Sequence, residues 1–136
     1  MEIRENFLSL AVPDLTEQEI FEVLDCLKSG WISVGPKVKE FEKQFAEWHN
    51  VKHAIAVSSC TTALFIAAKV AGVGSGDYVI VPTITWQSTA NIVEQLGATP
   101  LFADVERDTM NISKGSVLNY LKEYGDKVKV IIPVHM

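Results

Sequence analysis

Tyr78-Val-Ile-Val-Pro82, followed by a helical stretch from Trp86 to Gly97 and then by Pro100-Leu-Phe-Ala-Asp-Val105, is the passage that decides the fold. The outer pieces are short and apolar with β-branched residues, which suit a pleated backbone, and the middle piece has the length of a crossover helix. Strand, helix and strand in that order form a βαβ unit, whose strands run parallel. The alternation continues in both directions. Upstream, His53-Ala-Ile-Ala-Val-Ser58 reads as a short strand, and Cys60 to Ala71 as a helix apolar nearly all round and therefore buried. Gly72-Val-Gly-Ser-Gly-Asp77 is the turn that ends that helix. Downstream, Asn111-Ile-Ser113 leads into a helix through Val117, Leu118 and Leu121, and the apolar run Val128 to Val134 reads as an interior strand. The expected fold class is α/β: a mostly parallel sheet with helices on both faces and right-handed crossovers.

The first fifty residues follow a different pattern. Thr16-Glu-Gln-Glu19 is a capping box, Ile20, Val23, Leu24 and Leu27 recur at helical spacing, and Gly30 stands where a helix ends in a left-handed residue. Gly35-Pro36 opens a second helix, with Val38, Phe41, Phe45 and Trp48 as its expected buried stripe. Lys37, Lys39, Glu40, Glu42 and Lys43 read as that helix's solvated face, with no chemistry assigned. Between the helices, Gly30-Trp-Ile-Ser-Val-Gly35 is an aromatic-bearing loop framed by glycines, of a kind that can cover a site. The chain thus divides into a helical segment, 1–50, and an α/β segment, 51–136.

Composition removes several functions. With 48 % hydrophobic and 21 % charged residues the chain is globular rather than disordered. Twelve basic against seventeen acidic residues give a net charge of −5 without any Lys/Arg run, so a nucleic-acid or anionic-membrane surface is not expected. Cys26 and Cys60 sit in unrelated contexts, with no CxxC and no Cys/His cluster suited to zinc, and read as reduced thiols. No basic, apolar leader opens the sequence and no apolar run reaches the roughly 18 residues of a spanning helix, so a cytoplasmic location is the expectation. The chain closes on its last expected strand, from which two readings follow: a piece of a longer protein, or a strand completed from outside.

Ligands of open parallel sheets lie beyond the carboxyl ends of the strands. Three segments fall there. Ser58-Ser-Cys-Thr-Thr62 puts four hydroxyls and a thiol at the amino end of a helix, where unpaired amides and the helix dipole favour an anion such as phosphate; Ser58 or Ser59 equally serves as an ordinary helix cap. Neither GxGxxG nor GxxxxGK[ST] occurs, so dinucleotide and common triphosphate sites are not indicated. Pro82-Thr-Ile-Thr-Trp86-Gln-Ser-Thr-Ala-Asn91 sets Trp86 among polar neighbours, either to stack on a flat ring or to fill a core or subunit contact. Pro133-Val-His135 ends on an imidazole that either orients a substrate or transfers protons, or is simply hydrogen-bonded. Asp104 reads as a turn or cap residue.

Taken in order, these segments resemble the sugar aminotransferases of the DegT/StrS type. Ser29-Gly-Trp-Ile-Ser-Val-Gly-Pro36 with Phe41-Glu42 is like that family's SGxWxxxGPxVxxFE, and Ala54-Ile-Ala-Val-Ser-Ser-Cys-Thr-Thr-Ala-Leu64 is like its SGTAAL loop. Gly76-Asp-Tyr-Val-Ile-Val-Pro82 is like GDEVIxP, and Thr83-Ile-Thr-Trp-Gln-Ser-Thr-Ala-Asn91 like TFxATANA. Gly97-Ala-Thr-Pro-Leu-Phe-Ala-Asp-Val105 is like GAxPxFxDV, and Ile132-Pro-Val-His135 like PVH. The likeness covers nearly all of this chain and about the first third of a family member. It implies the type I aminotransferase fold, with 51–136 as the first part of a domain binding pyridoxal 5′-phosphate and 1–50 bordering the active site. It implies that Cys60 and Thr61 take the coenzyme phosphate, that Trp86 lies against the pyridine ring with Ser88 and Thr89 nearby, and that Trp31 and His135 meet the substrate. Cys60 departs from the family's usual glycine, which keeps the amide and adds a side chain that must point away.

The implied reaction passes an amino group from an amino acid, typically glutamate, to a nucleotide-linked keto-sugar, in a homodimer whose active sites are shared. The Gly30–Gly35 segment and Trp86 look most like members acting on UDP-linked 4-keto sugars. The Schiff-base lysine and the acidic partner of the pyridinium follow the PVH segment in the family. None of the ten lysines here stands in such a context, so the 136 residues alone are expected not to transaminate. Two other readings stand beside this one: a dehydratase of the same family using pyridoxal or pyridoxamine phosphate, and a non-catalytic binding or dimerising module.

Overall fold

A computed structural model describes residues 11–136, which fall into two compact units that divide between Ala56 and Val57. The first unit holds helices α1 (Glu17–Ser29) and α2 (Pro36–Trp48). The Thr16 hydroxyl accepts from the Gln18 N–H at 3.2 Å, while the Glu19 carboxylate accepts from the Thr16 amide at 2.6 Å, so the capping box forms as its spacing predicts. Gly30 closes α1 at φ +77°, a conformation that excludes most side chains. Gly35 precedes Pro36, which takes the first helical position of α2. Lys37 pairs with Glu22 and, at 3.0 Å, with Asp25, tying α2 to α1; these carboxylates hold the ammonium above the ordinary lysine range.

Two expectations fail in this unit. The stripe Phe41, Phe45 and Trp48 is present at helical spacing but is exposed, as are Ile20, Val23, Leu24 and Leu27 on α1. Amphipathic spacing specifies a face; burial requires a partner for it, and among the described residues of α2 only Ala46 is buried. Residues 53–58 form no strand, because no described strand pairs with them, and Ile55 is 81 % exposed. The Ala56 N–H instead donates to the Glu42 carboxylate at 2.8 Å.

The second unit is the βαβ arrangement. After α3 (Cys60–Val70) come β1 (Tyr78–Pro82), α4 (Ser88–Gln95), β2 (Thr99–Ala103), α5 (Lys114–Tyr124), a short 3-10 turn (Gly125–Lys127) and β3 (Val128–Ile131). All pairing in the sheet is parallel, in the order β2-β1-β3. Central β1 is covered on both faces, which explains its unbroken apolar run. Val79 and Val81 pack with Ala68 of α3 and Ile92 and Val93 of α4, whereas Ile80, Leu101 and Ala103 pack with Val117, Tyr120 and Tyr124 of α5. The helices therefore lie on both faces.

Strand β3 is an edge of this three-stranded sheet rather than the interior strand that its apolarity predicts, and its residues alternate between half-buried and exposed. A register shift at Tyr78/Val79 makes Lys129 the extra residue. It lets Val128 join the α5 cluster and Val130 the α3/α4 cluster, although simple alternation would put them on one face. Helix α3 is likewise only partly covered: Ala68 is buried, with Leu64 and Phe65 packed beside it, but Ile66 and Val70 are exposed. Apolar residues all round a helix reveal its composition, and the number of neighbours decides how much of it is covered.

Candidate active site

Strand and helix directions bring the site together. Helix α3 leads through the 72–77 turn into the amino end of β1, and it packs beside α4 on the same sheet face. Eleven helical residues and five strand residues each span roughly 16 Å, so α3 runs back along β1 and begins at that strand's carboxyl edge. Helix α4 begins there too, since it follows β1 directly. The chain after β3 leaves by the same edge, because β3 is parallel to β1. Cys60, Thr61, Trp86, Ser88 and His135 therefore all lie at the carboxyl edge of the sheet, while Trp31 belongs to the first unit.

At the start of α3, Ser59 is the cap: its hydroxyl accepts from the Thr62 N–H at 3.2 Å and its carbonyl from the Ala63 N–H at 3.0 Å. The hydroxyls of Ser58 and Ser59 both lie within 3.2 Å of the Thr62 hydroxyl. The capping reading of Ser59 is thus realised, and it leaves the next amides free. Among the described residues, the N–H groups of Cys60 and Thr61 have no acceptor, and both residues are exposed. Two open amides at a helix amino end suit an anion with several acceptor oxygens. A phosphate ester fits that donor set, and the Thr61 hydroxyl adds a further donor beside it. The exposed Cys60 side chain leaves its amide open.

Trp86 is 79 % exposed and so is not a core residue. It precedes α4 rather than beginning it, and its carbonyl accepts from the Thr89 N–H at 3.0 Å. The Thr85 and Thr89 hydroxyls are 2.8 Å apart. Neither threonine stands out in the sequence as a partner of the other, since Thr85 lies outside the helix. Ser88, the first residue of α4, is half-buried, and His135 is exposed, with the neighbouring Met136 N–H near the Asn111 side-chain oxygen at 3.4 Å. Asp104 is a turn residue as expected: its carboxylate accepts from the Val105 N–H at 2.8 Å and its carbonyl from the Ser113 N–H at 2.8 Å.

In the first unit, Trp31 borders a cleft of about 530 Å³ between α1 and α2, together with Cys26, Ile32 and Val38. Glu42, which its sequence position leaves on a solvated face, anchors Ala56 two residues ahead of Ser58. The distance of fourteen residues hides this bond from pattern reading.

A parallel sheet whose carboxyl edge carries both a donor set suited to phosphate and an exposed indole has the parts of a coenzyme-binding α/β domain. Residues 13–136 match the sequence pattern of the DegT/DnrJ/EryC1/StrS aminotransferase family, and the chain belongs to that family. It is 46 % identical over 132 residues to the spore coat polysaccharide biosynthesis protein SpsC of Bacillus subtilis, covering 97 % of this chain and 33 % of SpsC. It is 40 % identical over 130 residues to the UDP-4-amino-4-deoxy-L-arabinose--oxoglutarate aminotransferase of Shewanella sediminis, covering 96 % and 33 %. The chain spans about a third of the length of these relatives. Among solved structures, the PMP-form of Spr1654 from Streptococcus pneumoniae superposes with a TM-score of 0.84 at 37 % identity, over 93 % of this chain and 31 % of that one. The same protein is also known in a PLP-form, at a TM-score of 0.83 and 36 % identity, over 91 % of this chain and 31 % of that one. The fold is accordingly that of the pyridoxal-phosphate aminotransferases.

Proposed function

We propose that this chain is the N-terminal part of a pyridoxal-phosphate-dependent aminotransferase that moves an amino group from glutamate to a nucleotide-linked keto-sugar, acting as a cytoplasmic homodimer. The observation that carries the reading is the pair of open amides at Cys60 and Thr61 at the sheet edge where Trp86 stands exposed. Bound pyridoxal phosphate supplies the electron sink for the reaction. The α3 amino end and the Thr61 hydroxyl hold its phosphate, Trp86 covers the ring face, and Ser88 lies beside it. Trp31 and His135 are the residues assigned to the substrate. The names of the relatives, one an oxoglutarate aminotransferase forming an amino-arabinose on UDP and another a polysaccharide biosynthesis protein, support glutamate as donor and a UDP-linked 4-keto sugar as acceptor. On this reading the 51–136 segment is the first part of the coenzyme domain, and the groups that complete the reaction lie in the remaining two thirds of the protein.

The test is an assay of the full-length protein with pyridoxal phosphate, labelled [15N]glutamate and a UDP-linked 4-keto sugar, followed by mass spectrometry. Nitrogen-15 in the sugar, with 2-oxoglutarate released in equal amount, is the expected result. Loss of water from the sugar without nitrogen gain would establish a dehydratase instead, and failure to bind the coenzyme would leave only a binding module.

A further inference from the structure

The strongest unused feature at this edge is a pair of threonines. Thr89 is the one buried polar residue among those described, at 3 % exposure, and on α4 it shares burial only with Ile92 and Val93, three and four residues further on. A hydroxyl brought into such surroundings needs a partner. Its partner is the Thr85 hydroxyl at 2.8 Å, while the Thr89 N–H donates to the Trp86 carbonyl at 3.0 Å. One buried residue thus grips Trp86 from both sides, through the preceding side chain and through the indole residue's own carbonyl. Gln87, at the cap position, makes no side-chain capping bond, although its carbonyl accepts from the Ala90 and Asn91 N–H groups.

We infer that Thr85 and Thr89 are positioning residues for Trp86, and that their hydroxyl pair fixes the angle at which the indole meets a flat ring. The inference rests on the reading of Trp86 as the ring-covering residue. A side chain 79 % exposed gains little orientation from packing, so its orientation comes from the backbone that carries it. A valine at position 89 keeps the shape, removes the hydroxyl and strands that of Thr85. Serine keeps the hydroxyl. Loss of one such bond changes an equilibrium by roughly three- to tenfold.

The experiment uses the full-length protein loaded with pyridoxal phosphate and reads the circular dichroism of the coenzyme's absorption band, which reports ring orientation, alongside coenzyme affinity and thermal unfolding. Trp86→Leu should change the band. Thr89→Val and Thr85→Val should each reproduce part of that change, with affinity lowered by roughly three- to tenfold; their double variant should be no worse than one alone, and Thr89→Ser should restore the signal. Should Thr89→Val fold poorly, Thr85→Val, altered at the half-buried partner, carries the test. A band changed by Trp86→Leu but untouched by the threonine variants would overturn the inference and spare the Trp86 reading. A band untouched by Trp86→Leu would overturn both.

Discussion

The indole of Trp31 lies over the α-carbon of Gly35, so closely that a β-carbon on Gly35 would stand 2.8 Å from Cε3 of the ring. Gly35 has extended backbone that any residue can adopt, so the requirement for glycine is steric and comes from the tryptophan. The loop between the two helices is folded back on itself by this contact, with its aromatic seated at the start of α2.

Gly35→Ala should therefore displace the indole. Overpacking of this kind costs about 1 kcal/mol or a little more, and the exposed ring can swing away to relieve it. A modest fall in melting temperature, with a rise in KM for the sugar acceptor that exceeds any change in kcat, is the expected outcome in the full-length protein. An unchanged KM would remove Trp31 from the substrate's surroundings.

Glu19 is held below the ordinary carboxylate range near 4.5, first by the Thr16 hydroxyl and then by the Thr16 amide. A carboxyl with a lowered value in the folded chain contributes stability that is complete above its unfolded value and declines as pH falls through the folded one. Hydrogen exchange of the α1 amides should accordingly speed up on acidification below about pH 4.5 relative to the rest of the unit. Glu19→Gln should flatten that dependence, and Thr16→Ala should loosen the helix start at all pH values.

Ile80 is fully buried at the centre of the sheet, beneath α5. Ile80→Ala should destabilise the protein by about 2–5 kcal/mol and Ile80→Val by about 1 kcal/mol, as measured by denaturant unfolding. Ile66→Ala, on the exposed side of α3, should cost far less in a preparation of the 136 residues; an equal cost would mean that this face is covered.

Ser59→Ala removes the side-chain cap of α3 and should cost about 1 kcal/mol. Coenzyme affinity should fall with it, because the Cys60 and Thr61 amides depend on that helix start for their direction. Thermal unfolding and coenzyme titration of the same variant check the two effects separately.

The contrast between β1 and residues 53–58 shows what was legible in the sequence. Both are apolar runs, but only β1 has neighbours on each side, and pairing is a property of the neighbour as much as of the run. The same holds for Phe41, Phe45 and Trp48, whose spacing gives the helix and its face but no cover for that face. Local devices were readable because their partners are close in sequence: the Thr16/Glu19 box, the turn at Gly30 and Pro36 at a helix start. The sequence also points to the open start of α3 at Cys60 and Thr61 and to exposed Trp86 just after β1, although the strand expected ahead of Cys60 does not form. The Thr85–Thr89 pair and the Glu42 bond to Ala56 were not, because each joins residues of different local structure through one specific side-chain geometry.

The most direct test of the proposed phosphate site uses Cys60→Pro. Proline is tolerated at the first helical position, and Ser59, at φ −162° and ψ 161°, already has the extended backbone that precedes a proline. The substitution removes one amide donor and keeps the helix. Dissociation constants of the full-length variant are to be measured for pyridoxal 5′-phosphate and for pyridoxal, which lacks the phosphate. The phosphate ester should bind roughly tenfold or more weakly while pyridoxal binds as before; equal affinities of variant and parent for the phosphate ester would rule out the Cys60 amide as a phosphate donor.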